Sequence, residues 1–92
     1  MKRVYLLKII WKIKIKVRKS AIKDLKSINE PFKNKIYNKI SELRNFPDVA
    51  NIKRLTNFEP AYRLRVGNYR ILFDVINDII IIGRVLHRQG SY

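Results

Sequence analysis

The chain of 92 residues contains no cysteine, one histidine, three glycines and three prolines. Each scarcity closes off a class of chemistry. Without cysteine there is no disulfide framework and no thiolate-ligated zinc. With His87 as the sole histidine, paired-histidine catalysis and a multi-histidine metal site within one chain are excluded. The seven acidic residues are scattered between Asp24 and Asp78, so the clustered carboxylates of a magnesium-dependent nuclease are missing. Any phosphoryl chemistry is therefore expected to need neither metal nor cofactor. No apolar run approaches the ~20 residues that span a bilayer. The opening MKRVYLLKII is interrupted by Lys8, and no small-residue cleavage site follows. Residues 1–10 read as part of the first strand or an extension before it. These absences predict a cytoplasmic protein without a membrane partner.

What the chain has in excess is positive charge. Lysine and arginine number 21 against seven acids, a formal net charge of +14. Solubility of a small domain needs only a net charge of roughly 2–8. The surplus implies polyanionic or acidic partners. The 47% apolar content is that of a folded globule, and the length is that of one domain over residues 1–92.

Hydrophobic periodicity gives the elements. Trp11, Ile13, Ile15 and Val17 alternate with Lys12, Lys14 and Lys16, a half-buried strand with a lysine stripe that protects an edge. Ser20 is placed to cap a helix over Ala21 to Ile28 with Ile22, Leu25 and Ile28 inward. Pro31 suits the start of a second helix whose Phe32, Ile36, Ile40 and Leu43 recur at helical spacing before Pro47. Asp48 to Pro60 is irregular and carries Lys53 and Arg54, read as a solvated pair or as substrate contacts. Three strands follow at Ala61–Val66, Tyr69–Ile76 and Ile79–Leu86, the last apolar on both faces and so interior. The predicted fold is α+β: a small twisted antiparallel β-sheet with two N-terminal α-helices packed on one face, in the order β-α-α-β-β-β.

The last third carries the candidate site. If Gly67-Asn68 is a two-residue loop, Val66 faces Tyr69, Arg65 faces Arg70 and Leu64 faces Ile71. Arg63 then shares a face with Arg65 and Arg70. Like charges directly across a strand pair destabilise it, so the cluster points to an anion, phosphate first. A structural alternative pairs Arg70 with Asp74. Tyr62 and Tyr69 fall on the opposite face and read as packing residues, as does Trp11. For the tail, a two-residue loop at Asn77-Asp78 sets Arg70 against Val85 and brings His87 onto the arginine face, with Arg88 away. A longer loop or a bulge reverses this, and the sequence leaves both open.

The string YRLRVGNYRILFDV followed by VLHRQGSY resembles the RelE family of toxin–antitoxin systems. The matching residues are Tyr62, Arg63, Arg65, Gly67, Asn68, Tyr69 and Arg70, then His87, Arg88 and Tyr92, with Lys53 and Leu55 as an earlier K-x-L element. The resemblance spans about residues 11 to 92. It implies an mRNA interferase that enters the ribosomal A site, and a cognate antitoxin whose acidic or amphipathic segment blocks it. Metal-free RNA cleavage uses the substrate's own 2′-hydroxyl. Arg63, Arg65 and Arg70 would stabilise the phosphorane, Arg88 would belong to the same catalytic set, and Lys53 and Arg54 would be substrate contacts. Arginine does not deprotonate in proteins, so proton transfer would fall to Tyr92 and His87. Some members of the family carry lysines or a carboxylate where this chain has Arg63 and Arg65. Two other readings accommodate the same residues: a ParE-like toxin directed at DNA gyrase without ribonuclease activity, and a non-enzymatic basic nucleic-acid-binding module.

Overall fold

The computed structural model describes residues 14–55 and 60–88. Its elements run β1 (Lys14–Val17), α1 (Lys19–Lys26), α2 (Phe32–Glu42), β2 (Ile52–Arg54), β3 (Tyr62–Val66), β4 (Tyr69–Ile76) and β5 (Ile79–His87), with one 3-10 turn at Leu43–Asn45 after α2. The fold class is α+β as expected. The five strands form one sheet in the order β1-β5-β4-β3-β2. Three ladders are antiparallel, while β1 pairs parallel with β5. A parallel pair needs a long crossover connection, and everything from α1 to β4 intervenes here. β5 is interior, flanked by β1 and β4, which explains why Ile79 to Ile82 is apolar on both faces.

The two hairpins follow from their loop residues. Gly67 has φ +58, a region where a side chain would be strained. Asn77 and Asp78 have φ +50 and +63, the pair of left-handed residues that a tight I′ loop demands.

One sheet face is covered by the helices. Ala21, Leu25 and Ile28 from the α1 segment meet Ile36, Ile40 and Leu43 from α2. Beneath them lie Leu64 and Val66, Ile71 and Phe73, and Ile80, Ile82 and Val85, all buried. At one end Phe73 stacks on Tyr62 at 5.3 Å, with Phe46 edge-on to both. Tyr62 and Tyr69 are thus packing residues, as their strand positions predicted.

Three expectations need correction. The helix begins at Lys19, and Ser20 caps nothing: its hydroxyl donates to the Gly83 carbonyl at 2.7 Å. Ala21 is buried and Ile22 exposed, so the inward stripe lies one residue around the helix from the expected one. Phe32 is exposed as well, with its ring 6.1 Å from that of Tyr69 rather than in the core. Within the irregular stretch, β2 forms a three-residue edge strand that periodicity does not reveal. Trp11 and its neighbours lie outside the described residues. No helix among the described residues is long and apolar enough to cross a membrane.

Candidate anion-binding face

The β3–β4 hairpin adopts the register that its loop dictates. Val66 lies opposite Tyr69, Arg65 opposite Arg70 and Leu64 opposite Ile71. The Arg65 N–H donates to the Asn51 carbonyl at 3.0 Å, toward the β2 side. Arg65 and Arg70 therefore form a non-hydrogen-bonded pair, the type that brings side chains closest. Three arginines consequently share the sheet face that the helices leave open.

β2 adds to that face selectively. Lys53 pairs with Arg63 and joins the arginines. Arg54 pairs with Tyr62 and points to the other side. There its guanidinium lies 5.4 Å from the Tyr62 ring centroid and donates to the Tyr62 hydroxyl at 3.1 Å. Of the two expected substrate contacts, the structure brings only Lys53 to the cluster. Asp74, one residue pair further along the open face, accepts the Ala61 N–H at 2.7 Å.

In the middle of this face sits Leu72, with Arg63 across from it on β3 and Arg84 across from it on β5. It is 4% exposed yet outside the helix-side core, an apolar floor between cations. The Arg63 Nε is buried and has no hydrogen-bond acceptor among the described residues. A buried donor without a partner costs about 1–3 kcal/mol. An anion on this face would supply the missing acceptor.

The tail is decided by a bulge. Phe73 pairs with Ile82, but Leu72 pairs with Arg84, so Gly83 is the extra residue. From there Arg70 faces Leu86 and Tyr69 faces His87. His87 therefore lies off the arginine face, at the rim, with its ring edge-on to Tyr69 at 5.0 Å. The Arg88 N–H donates to the Asn68 carbonyl at 2.6 Å. Continued one residue beyond the end of β5, the same alternation puts Arg88 on the side shared with Leu86 and Arg70. Tyr92 lies outside the described residues.

Sequence reasoning missed Arg84 and its partner. Asp24 of α1 accepts from Arg84 Nε at 2.7 Å, from Arg84 Nη2 at 3.0 Å and from the Val85 N–H at 2.8 Å. Partial burial tends to raise the Asp24 pKa. The hydrogen bonds from Arg84 and Val85 and the charges of Arg84 and Lys23 outweigh it, and the net direction is down. Arg84 moves up correspondingly, chiefly through its hydrogen bond to Asp24. The only sequence signal was Gly83 inside an apolar strand, a common mark of a bulge. Among the described residues no cluster of three or more histidine, aspartate or glutamate side chains is placed to hold a metal.

Comparison with known proteins gives a consistent answer. Residues 15–92 match the model of the ParE toxin of the type II toxin–antitoxin system parDE. Toxin RelE3 of Methanocaldococcus jannaschii is 37% identical over 84 residues, covering 87% of this chain and 96% of that protein. The crystal structure of a RelB–RelE antitoxin–toxin complex from Methanococcus jannaschii aligns with TM-score 0.69 at 36% identity, covering 82% of this chain and 92% of that one. A RelBE2 toxin–antitoxin complex from Mycobacterium tuberculosis shares the fold, with TM-score 0.71 over 84% of this chain and 99% of that one at 23% identity.

Proposed function

The chain belongs to the family of ParE toxins of type II toxin–antitoxin systems and is the RelE-like toxin of such a pair; from that footing we propose that it is a metal-independent endoribonuclease that cleaves mRNA in the ribosomal A site. The observation that carries this reading is the open face itself. Lys53, Arg63, Arg65 and Arg70 share the face that holds Leu72, and the buried Arg63 Nε lacks an acceptor among the described residues. A scissile phosphate supplies acceptors in the number and geometry that guanidinium forks match.

In the proposed reaction the substrate 2′-oxygen attacks phosphorus, and the bond from phosphorus to the 5′-oxygen breaks. The products are a 2′,3′-cyclic phosphate and a 5′-hydroxyl. Negative charge grows on the non-bridging oxygens, where Arg63, Arg65 and Arg70 are fixed in advance by the ladder. Removing one such preorganised donor typically lowers kcat by about 10²–10³. Lys53 binds an adjoining phosphate, and Arg88 closes the loop end of the face. We assign proton transfer to Tyr92, with His87 at the rim as its partner. The cognate antitoxin, through an acidic or amphipathic segment, covers the same cations, as electrostatic complementarity favours. Relatives whose structures are toxin–antitoxin complexes support that partner.

The experiment is a comparison of binding with cleavage. Arg70→Ala should abolish mRNA cleavage on ribosomes while leaving most of the RNA affinity of a +14 chain. Lost binding with no cleavage to lose would make the protein a nucleic-acid-binding module. The ParE description of the matching family favours one second reading, a gyrase-directed toxin. Inhibition of gyrase supercoiling without mRNA cleavage would establish it.

A further inference from the structure

The first turn of α1 is fastened to the β5 bulge. β1 pairs with β5 only as far as Ile82. Beyond that residue the outer edge of β5 would be bare, and α1 takes over. The Arg18 N–H donates to the Ile82 carbonyl at 2.9 Å, and Ser20 donates to the Gly83 carbonyl at 2.7 Å. Asp24 holds both the Arg84 guanidinium and the Val85 N–H. Four successive β5 residues, on both sides of the extra one, are thereby held by α1 and the residue before it.

The register beyond Gly83 has two alternatives. Pairing continued from Phe73–Ile82 without the bulge would set Arg70 against Val85 and Tyr69 against Leu86. His87 would then stand among the arginines, and Arg88 would leave them. The observed bulge does the opposite. Glycine does not enforce it: Gly83 is not in the left-handed region, and a Cβ there would meet only the Leu72 carbonyl oxygen at an ordinary 3.7 Å. Asp24 can enforce it, because its carboxylate engages two groups that point its way together only in the bulged register. Burial of Arg84 in the flat register opposes slippage as well.

We propose that Asp24, assisted by Ser20, is a positioning residue: it clamps the bulge at Gly83 and so selects Arg88, and not His87, for the cationic face. The role of that face is the ribonuclease reading above, on which the functional half of this inference rests. Asp24 meets the open face only through Arg84, across Leu72 from Arg63, and touches none of Lys53, Arg63, Arg65 and Arg70 in the contacts described. Its effect reaches the site through the strand that leads to Arg88 and Tyr92.

The full-length protein tests this with two readouts. One is the nuclear Overhauser contact between the rings of Tyr69 and His87, whose centroids are 5.0 Å apart in the bulged register alone. The other is kcat and KM for mRNA on ribosomes. Asp24→Ala should lose the ring contact and lower kcat about tenfold or more with KM within about twofold, since a displacement of order 1 Å is worth up to 10²-fold. Deleting Gly83 removes the extra residue and leaves Tyr69 opposite His87 in an unbulged ladder, so in the Asp24→Ala background it should restore the ring contact. Should Asp24→Ala not fold, Asp24→Asn, Ser20→Ala and Arg84→Ala remove the contacts singly and are read by the same ring contact. Retention of the ring contact in all of them overturns the clamp. Loss of the contact with kcat unchanged overturns the functional half. An inactive wild type would refute the ribonuclease reading instead, and the ring contact would still decide the clamp.

Discussion

Replacing Arg65 by glutamine should make the protein more stable and less active. Arg65 and Arg70 face each other as a non-hydrogen-bonded pair, with Cα atoms about 4.5 Å apart in ladders of this type. Cross-strand pairs contribute roughly 0.2–1 kcal/mol, and like charges make that contribution unfavourable. A bare Coulomb figure at 6 Å and an effective dielectric of 20 is about 3 kcal/mol, an upper bound for solvated guanidiniums. Arg65 is exposed, so the lower range applies. Relief of about 0.5 kcal/mol raises Tm by about 2–4 °C in a domain of this size. Thermal unfolding followed by circular dichroism at 0.1 M and 1 M salt measures it. The gain should shrink at the higher salt, where the screening length falls from about 10 Å to about 3 Å. In the same variant, kcat on ribosomes should fall about 10²–10³-fold. A variant with unchanged or lower Tm at low salt and full activity would refute the reasoning, because the repulsion and its use would both be absent.

Other consequences of the geometry are as sharp. Lys53→Ala should weaken RNA binding and reduce the salt slope by about one ion, whereas Arg54→Ala should leave both unchanged. Arg54→Ala should instead cost up to about 1 kcal/mol of stability through its contacts with Tyr62. Filter binding across a salt series and chemical denaturation separate the two. Asp24, whose folded-state pKa lies below its ordinary 3.8, stabilises the native state above that value. That stability is lost as pH falls through the depressed pKa. Acid titration of Asp24→Asn should show a shallower loss of stability below pH about 4 than the parent chain.

The hairpin at the centre of the site was legible because two signals agreed. Alternation fixed which residues share a face, and Gly67-Asn68 fixed the register to the residue. Lys53 and Arg54 could not be told apart in advance, since a strand of three residues carries too little alternation to announce itself. Only its ladder with β3 shows that one faces the arginines and the other Tyr62. The tail was undecidable for a different reason. Its register depends on a contact between residues 60 positions apart, Asp24 and Arg84, and no local pattern encodes such a pair. A second long-range contact explains why Ser20 misled: a residue with the chemistry of a helix cap is employed across the fold at Gly83. The helix core was legible in its spacing, but at the first position Ala21 takes the inward place expected of Ile22, since Ala21, Leu25 and Ile28 follow the i, i+4, i+7 stripe.

Ribonuclease chemistry without metal on this cationic face is the central claim, and mapping of mRNA ends tests it most directly. The purified chain would be added to ribosomes paused on a defined mRNA, with the 5′ ends read by primer extension and the new termini analysed chemically. Parallel reactions would contain excess chelator after complexes have formed, or the Arg70→Ala variant. The account predicts discrete cuts in the A-site codon, ends consisting of 2′,3′-cyclic phosphate and 5′-hydroxyl, no effect of the chelator and no cuts by the variant. Cuts that survive Arg70→Ala, or intact mRNA under all conditions, would contradict it.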